Sequence, residues 1–152
     1  MEVARRIALK QLESRQRTEE ELRRALGRRN TPVDVIDELI TRFKEVGLLD
    51  DRAYAAALAN TRVGVQRRGA ARIRHELRDK GVEQEVIQEA IDGIDRDDEL
   101  DAAVTFAVKR ASTMRNLDRL VAKRRLYGAL ARRGFSADVV RQAVEAALDQ
   151  EG

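Results

Sequence analysis

The chain has no cysteine and no tryptophan, one proline, one histidine and only five aromatic residues. Without cysteine there is neither a disulfide framework nor a thiolate zinc site. With Phe43, Phe106, Phe135, Tyr54 and Tyr127 as the only rings, packing falls to Ala, Leu, Val and Ile, which predicts thin local cores. Pro32 is the single proline, and no run alternates apolar and polar residues in the manner of a half-buried strand; both point to an all-α chain. No apolar stretch approaches the ~18–20 residues that span a bilayer. The opening MEVARRIALKQLESR reads as an amphipathic helix without the apolar core of a signal peptide. The expected location is therefore the cytoplasm, with no membrane partner. Because the chain starts directly in a helix, there is room for residues before it.

What is present is a repeat. With Leu26, Leu77 and Leu130 in register, offset by 51 and 53 residues, other positions align. Leu22, Ile73 and Leu126 precede the anchor; Arg29, Lys80 and Arg133 follow it, then Asn30, Gly81 and Gly134. Further on come Ile36, Ile87 and Val140, then Ile40, Ile91 and Val144. A period near 50 residues marks a repeat array, whose function is usually spread along a face. Each repeat reads as helices A, B and C, with boundaries at 1–47, 48–95 and 96–152. Thr18 and Glu21 have capping-box spacing at the start of the first helix B, and Pro32 is expected at the first position of helix C. Asn30, Gly81 and Gly134 are expected in the left-handed turn that ends each helix B. The third helix A is expected from Asp98.

Charge is abundant, at 38% of residues, yet the net charge is only +3. The average hides a segregation. Residues 62–80 carry net +5, 83–101 net −8 and 109–133 net +8. The pattern is weaker at the start, with +4 over 1–29 and −4 over 34–51, and the last stretch, 135–152, carries −3. Basic stretches containing helix B thus alternate with acidic stretches containing helix C. Two readings follow: solvated salt bridges between B and C, each worth little, or a basic stripe suited to a phosphate backbone. For the second and third repeats binding is favoured, since Asp118 alone cannot neutralise the nine bases in 109–133. The candidate residues are Arg67, Arg68, Arg72, Arg74, Arg78, Lys123, Arg124, Arg125, Tyr127, Arg132 and Arg133. Arginine forks suit phosphate and carboxylate alike, so the target is DNA or an acidic protein surface.

Nothing specifies catalysis. The Asp50–Asp51 and Asp97–Asp98 pairs stand at helix starts, where an aspartate caps free N–H groups, so they are read as caps and not as metal ligands. His75 has no nucleophile or acid partner at a telling spacing. Gly64, Gly69 and Gly81 do not form a phosphate loop, and no P-loop, GxSxG or HExxH is present. The remaining rings are read as core residues; Tyr127, beside Arg124 and Arg125, has some claim to a surface contact. No enzyme, cofactor or metal is expected.

Four segments together resemble the RecX family of RecA modulators: LKQLESRQRTEEELRRAL, GLLDDRAYA at Gly47 to Ala55, RRGAARIRHELRDKGV at Arg67 to Val82, and ARRGF at Ala131 to Phe135. The sequence departs from the family pattern at Asn30-Thr31 and at Arg67-Arg68. The resemblance implies an elongated, curved, all-α array of three tandem three-helix repeats, acting in DNA repair and recombination. It implies binding to RecA and to the RecA–DNA filament, in whose groove the protein would lie as a monomer. Filament growth, ATP hydrolysis and strand exchange would be inhibited, and DNA itself is a further implied partner. The alternative is a plain DNA-binding helical module without RecA specificity. Replacing Arg72 and Arg74 by Glu is expected to weaken filament binding.

Overall fold

The computed structural model describes residues 1–151. Among them are nine helices and no strand. They are α1 (Glu2–Ser14), α2 (Glu19–Gly27), α3 (Val33–Glu45), α4 (Asp51–Gly64), α5 (Ala70–Asp79), α6 (Gln84–Asp92), α7 (Arg96–Ala111), α8 (Arg119–Arg132) and α9 (Ala137–Glu151). They form three successive groups of three. The accessible surface is 9348 Å2, against about 7,800 Å2 for a compact monomer of this mass, as an elongated array requires.

Local chemistry sets most boundaries. Thr18 accepts from the Glu21 N–H at 3.1 Å, and the Glu21 carboxylate accepts from the Thr18 N–H at 3.0 Å, completing the capping box of α2. Asp50 caps α4 through the Ala53 N–H. Two starts differ from the sequence reading. Pro32 is the cap residue of α3, with Val33 first in the helix; its ψ of 143° keeps it extended. Helix α7 begins at Arg96, not Asp98, because Asp95 supplies the cap by accepting from the N–H groups of Asp97 and Asp98.

The apolar stripes close into two cores. Leu22, Leu26, Ile36, Leu39, Ile40 and Phe43 fill the first repeat together with Ala4, Ala8 and Leu49. The second and third repeats share one larger core, in which Ile73 and Leu77 join Leu126, Leu130 and Val144. Helix α4 packs on α7 across that boundary. The first repeat is instead tied to the second by polar contacts: Arg24 donates to the Asp79 carbonyl, and Asp51 accepts from the Glu19 N–H at 3.0 Å. Asp51 therefore caps α2 of the neighbouring repeat, while Asp50 caps its own helix. Burial holds the Asp51 carboxyl above its ordinary range despite that hydrogen bond.

Both junctions use the same device. The start of one helix B meets the end of the next repeat's helix B. At the first junction the Thr18 hydroxyl donates to the Lys80 carbonyl at 2.7 Å. At the second, the Gly69 N–H donates to the Arg133 carbonyl at 2.9 Å and Ala71 to Gly134 at 3.2 Å. Lys80 and Arg133 are equivalent positions in the repeat, so residues at the ends of these helices also serve as docking acceptors.

Thr18 is the only buried polar side chain among the described residues. Thr18→Val keeps its shape but removes the cap and the bond to Lys80. A loss of about 1–3 kcal/mol is expected, read by urea unfolding, with amide exchange accelerated most in α1 to α3. Uniform exchange through all nine helices would show that the first repeat is not a separate cooperative unit.

Candidate binding surface

The arginines of the sequence-derived set divide by helix face. Within α5, Ile73 and Leu77 point into the core, which sends Arg72 and Arg74 to opposite sides. Arg74 lies toward α6 and donates to Gln88 at 3.0 Å. Arg67 adopts a positive φ of 51° and folds back, its guanidinium donating to the carbonyls of Gly64 and Val65. It lines a cleft with Asp95, Asp98 and Asp101, on acidic ground. Arg78 and Lys123 are exposed. Tyr127 is half-buried against the shared core.

Arg68, Arg72, Arg132 and Arg133 come together. With Phe106, Arg110 and Ala129 they line a cleft of about 230 Å3 at the boundary of the second and third repeats. A second cleft, of about 650 Å3, continues past Arg110 and Arg132 to Arg124 and Arg125. Among the described residues no carboxylate lines either one. Phe106 and Arg110, absent from the sequence-derived set, are central here. The Arg133 guanidinium stands 4.4 Å from the Phe106 ring centroid and that of Arg110 5.7 Å, so the ring face carries two cations. Phe106 packs against the shared core, in keeping with its reading as a core residue, while its ring also meets the two guanidinium groups; a Phe and an Arg four residues apart on one helix face is the sequence signal for that second contact.

Internal ion pairing is uneven along the molecule. In several places bases meet acids on neighbouring helices: Arg23 with Asp37 at 2.6 Å, Arg52 with Glu89, Arg96 with Asp138, and Arg119 with Asp149 at 3.5 Å. Internal pairing thus accounts for many of the charges. At the boundary cleft it does not. Glu76 pairs with Arg62 at 2.6 Å and with Arg68 at 3.3 Å, but among the described residues Arg72, Arg110, Arg132 and Arg133 pair with no carboxylate. Burial, then repulsion from Arg68, Arg110 and Arg72, holds Arg133 below the ordinary arginine range.

Glu76 is the counter-ion at the edge of this surface. The hydrogen bond from Arg62 holds its carboxyl below the ordinary value of 4.5, against the opposing effect of burial. Its folded-state pKa lies below the unfolded one, so its stabilisation is complete above about pH 4.5 and is lost as pH falls through the folded value. The acid limb of the stability profile is expected to flatten in Glu76→Gln, measured by urea midpoints from about pH 3 to 7. An unchanged limb would place the acid sensitivity elsewhere.

Comparison with known proteins agrees with the architecture. Models of the RecX first, second and third three-helix domains match residues 4–43, 50–91 and 97–144. The regulatory protein RecX of Streptomyces coelicolor is 39% identical, covering 100% of this chain and 81% of its own length. That of Thermobifida fusca is 38% identical, covering 98% of this chain and 80% of its own. The crystal structure of RecX from Lactobacillus salivarius superposes with a TM-score of 0.90 at 22% identity, over 96% of this chain and 95% of that one. Three tandem domain matches and relatives at this identity across the whole repeat array place the chain in the RecX family of regulatory proteins.

Proposed function

We infer that this chain is a non-catalytic, cytoplasmic, monomeric regulator that binds RecA and its DNA filament and lowers ATP hydrolysis, filament growth and strand exchange. Family membership supports the regulatory role. One structural observation supports the mode of binding: a continuous basic surface runs from Arg68 and Arg72 over Arg110 and Arg132 to Arg124 and Arg125, and among the described residues no carboxylate lines it. Such a surface suits phosphate groups of filament DNA or an acidic face of RecA. Inhibition further requires tighter binding to an inactive or capped filament than to an active one, because equal binding shifts no equilibrium.

The test is binding of the labelled protein to one single-stranded oligonucleotide, bare and coated with RecA, across a salt series. Tighter binding to the coated strand is expected. Equal or weaker binding there, with the steep salt dependence of phosphate contacts, would favour the plain DNA-binding module.

A further inference from the structure

Five arginines line the smaller cleft, from three parts of the chain, and of these Arg68 already pairs with Glu76. Arg68 and Arg72 flank the start of α5, Arg110 ends α7, and Arg132 and Arg133 end α8. Arg72, Arg110 and Arg132 are exposed and Arg68 and Arg133 partly buried; their like charges repel one another across the cleft, and burial, then repulsion from Arg68, Arg110 and Arg72, lowers the proton affinity of Arg133. A bound anion would relieve that repulsion.

The number and placement of the donors bear on which anion. A carboxylate is planar, carries one charge, and is saturated by one or two arginine forks. A phosphate group offers tetrahedrally disposed oxygens that accept forks from several directions. The donors here reach the cleft from both sides of a repeat boundary. That boundary is closed by backbone bonds from Gly69 to Arg133 and from Ala71 to Gly134, directly beside the cleft. Phe106 underlies Arg110 and Arg133 and limits their freedom before any ligand arrives.

We propose that this cleft is a phosphate-binding site shared by the second and third repeats, and that its occupancy clamps the two repeats together. The proposal deepens the reading of the basic surface and rests on that surface being a binding face, but it needs no RecA. The phosphate is supplied either by a nucleic-acid backbone or by a free polyphosphate.

The experiment titrates pyrophosphate into the full chain at fixed ionic strength, by calorimetry and by thermal melting. One-to-one binding and a raised melting temperature are expected. Arg110→Gln and Arg133→Gln, tested separately, are each expected to weaken binding about ten-fold, the effect of removing one charge-assisted bond. Arg110 is exposed, so its variant keeps the test valid if Arg133→Gln folds poorly. Displacement of a labelled oligothymidylate by pyrophosphate would identify a strand backbone as the source; pyrophosphate binding without displacement would identify a free polyphosphate. No binding, or binding unchanged in both variants, overturns the site. Pyrophosphate binding alongside absent filament binding would instead overturn the filament reading and leave the site intact.

Discussion

Reversing Arg72 and Arg132 together to Glu is expected to weaken binding to RecA filaments about a hundredfold or more, taking roughly 1.5–3 kcal/mol for each charge-assisted hydrogen bond removed. Both side chains are exposed, so neither is needed for the core. Both line the boundary cleft, and Arg132 also lines the adjoining one. The matched control is Arg74→Glu with Arg78→Glu. It changes the net charge by the same amount, so long-range steering is held nearly constant. It acts on the other side of α5, where Arg74 already donates to Gln88, and should change binding less than about threefold on that charge-matched basis. Equilibrium binding to filaments at physiological salt measures both. Equal weakening in the two variants would mean that net charge, and not this surface, governs association. Sequence alone groups Arg72 with Arg74; their opposite directions make them separable probes.

Gly69→Ala is expected to cost about 1–3 kcal/mol, the range of an overpacked interior with shifted backbone. Gly69 has an ordinary φ of −91°, so conformational strain is not the cause. A Cβ there would lie 2.4 Å from the Gly134 carbonyl carbon and the Phe135 nitrogen. Backbone, unlike the end of a long side chain, cannot move aside cheaply. The junction must open, which breaks the Gly69–Arg133 bond and separates Arg68 and Arg72 from Arg110, Arg132 and Arg133. Filament binding should fall with stability. Gly134→Ala meets the Arg72 nitrogen at 2.6 Å from the opposite side and adds the strain of a φ of +94°. Gly27→Ala is the control. Nothing lies within 4 Å of its Cβ position at the end of α2, so it should be neutral or stabilising by up to about 1 kcal/mol. Urea unfolding of the three variants suffices. Wild-type stability in Gly69→Ala would mean that the repeats can separate there without cost.

Gly81 and Gly134 mark the limit of what neighbouring residues in sequence can reveal. The repeat, the capping box at Thr18 and the apolar stripes were legible because each rests on residues a few positions apart. Both glycines take the left-handed turn conformation that the sequence predicts, with φ of +76° and +94°. Their second duty, giving clearance to the preceding repeat, was not visible: the group that a Gly81 Cβ would strike is Glu20, and for Gly134 it is Arg72. That duty accounts for the turn residues. In the first repeat Asn30 also has a positive φ, of 59°, but it is exposed and no preceding helix B docks on it, so asparagine is tolerated.

The basic surface was legible to the same degree. Charge counts found the stretches that carry it, but a count has no direction. It could not separate Arg72 from Arg74, nor see that Arg67 turns back toward Asp95, Asp98 and Asp101. Phe106 and Arg110 lie in helix A of the third repeat and enter the site only through packing on α8, further along the chain.

ATP hydrolysis by preformed RecA filaments on excess single-stranded DNA, with this protein added well below the RecA concentration, tests the regulatory reading most directly. Hydrolysis should fall, and the fall should be abolished in the Arg72→Glu, Arg132→Glu variant. Competition for DNA could not produce it, since DNA is in excess. Unchanged hydrolysis, with the protein demonstrably bound to the filament, would contradict inhibition of RecA by this chain.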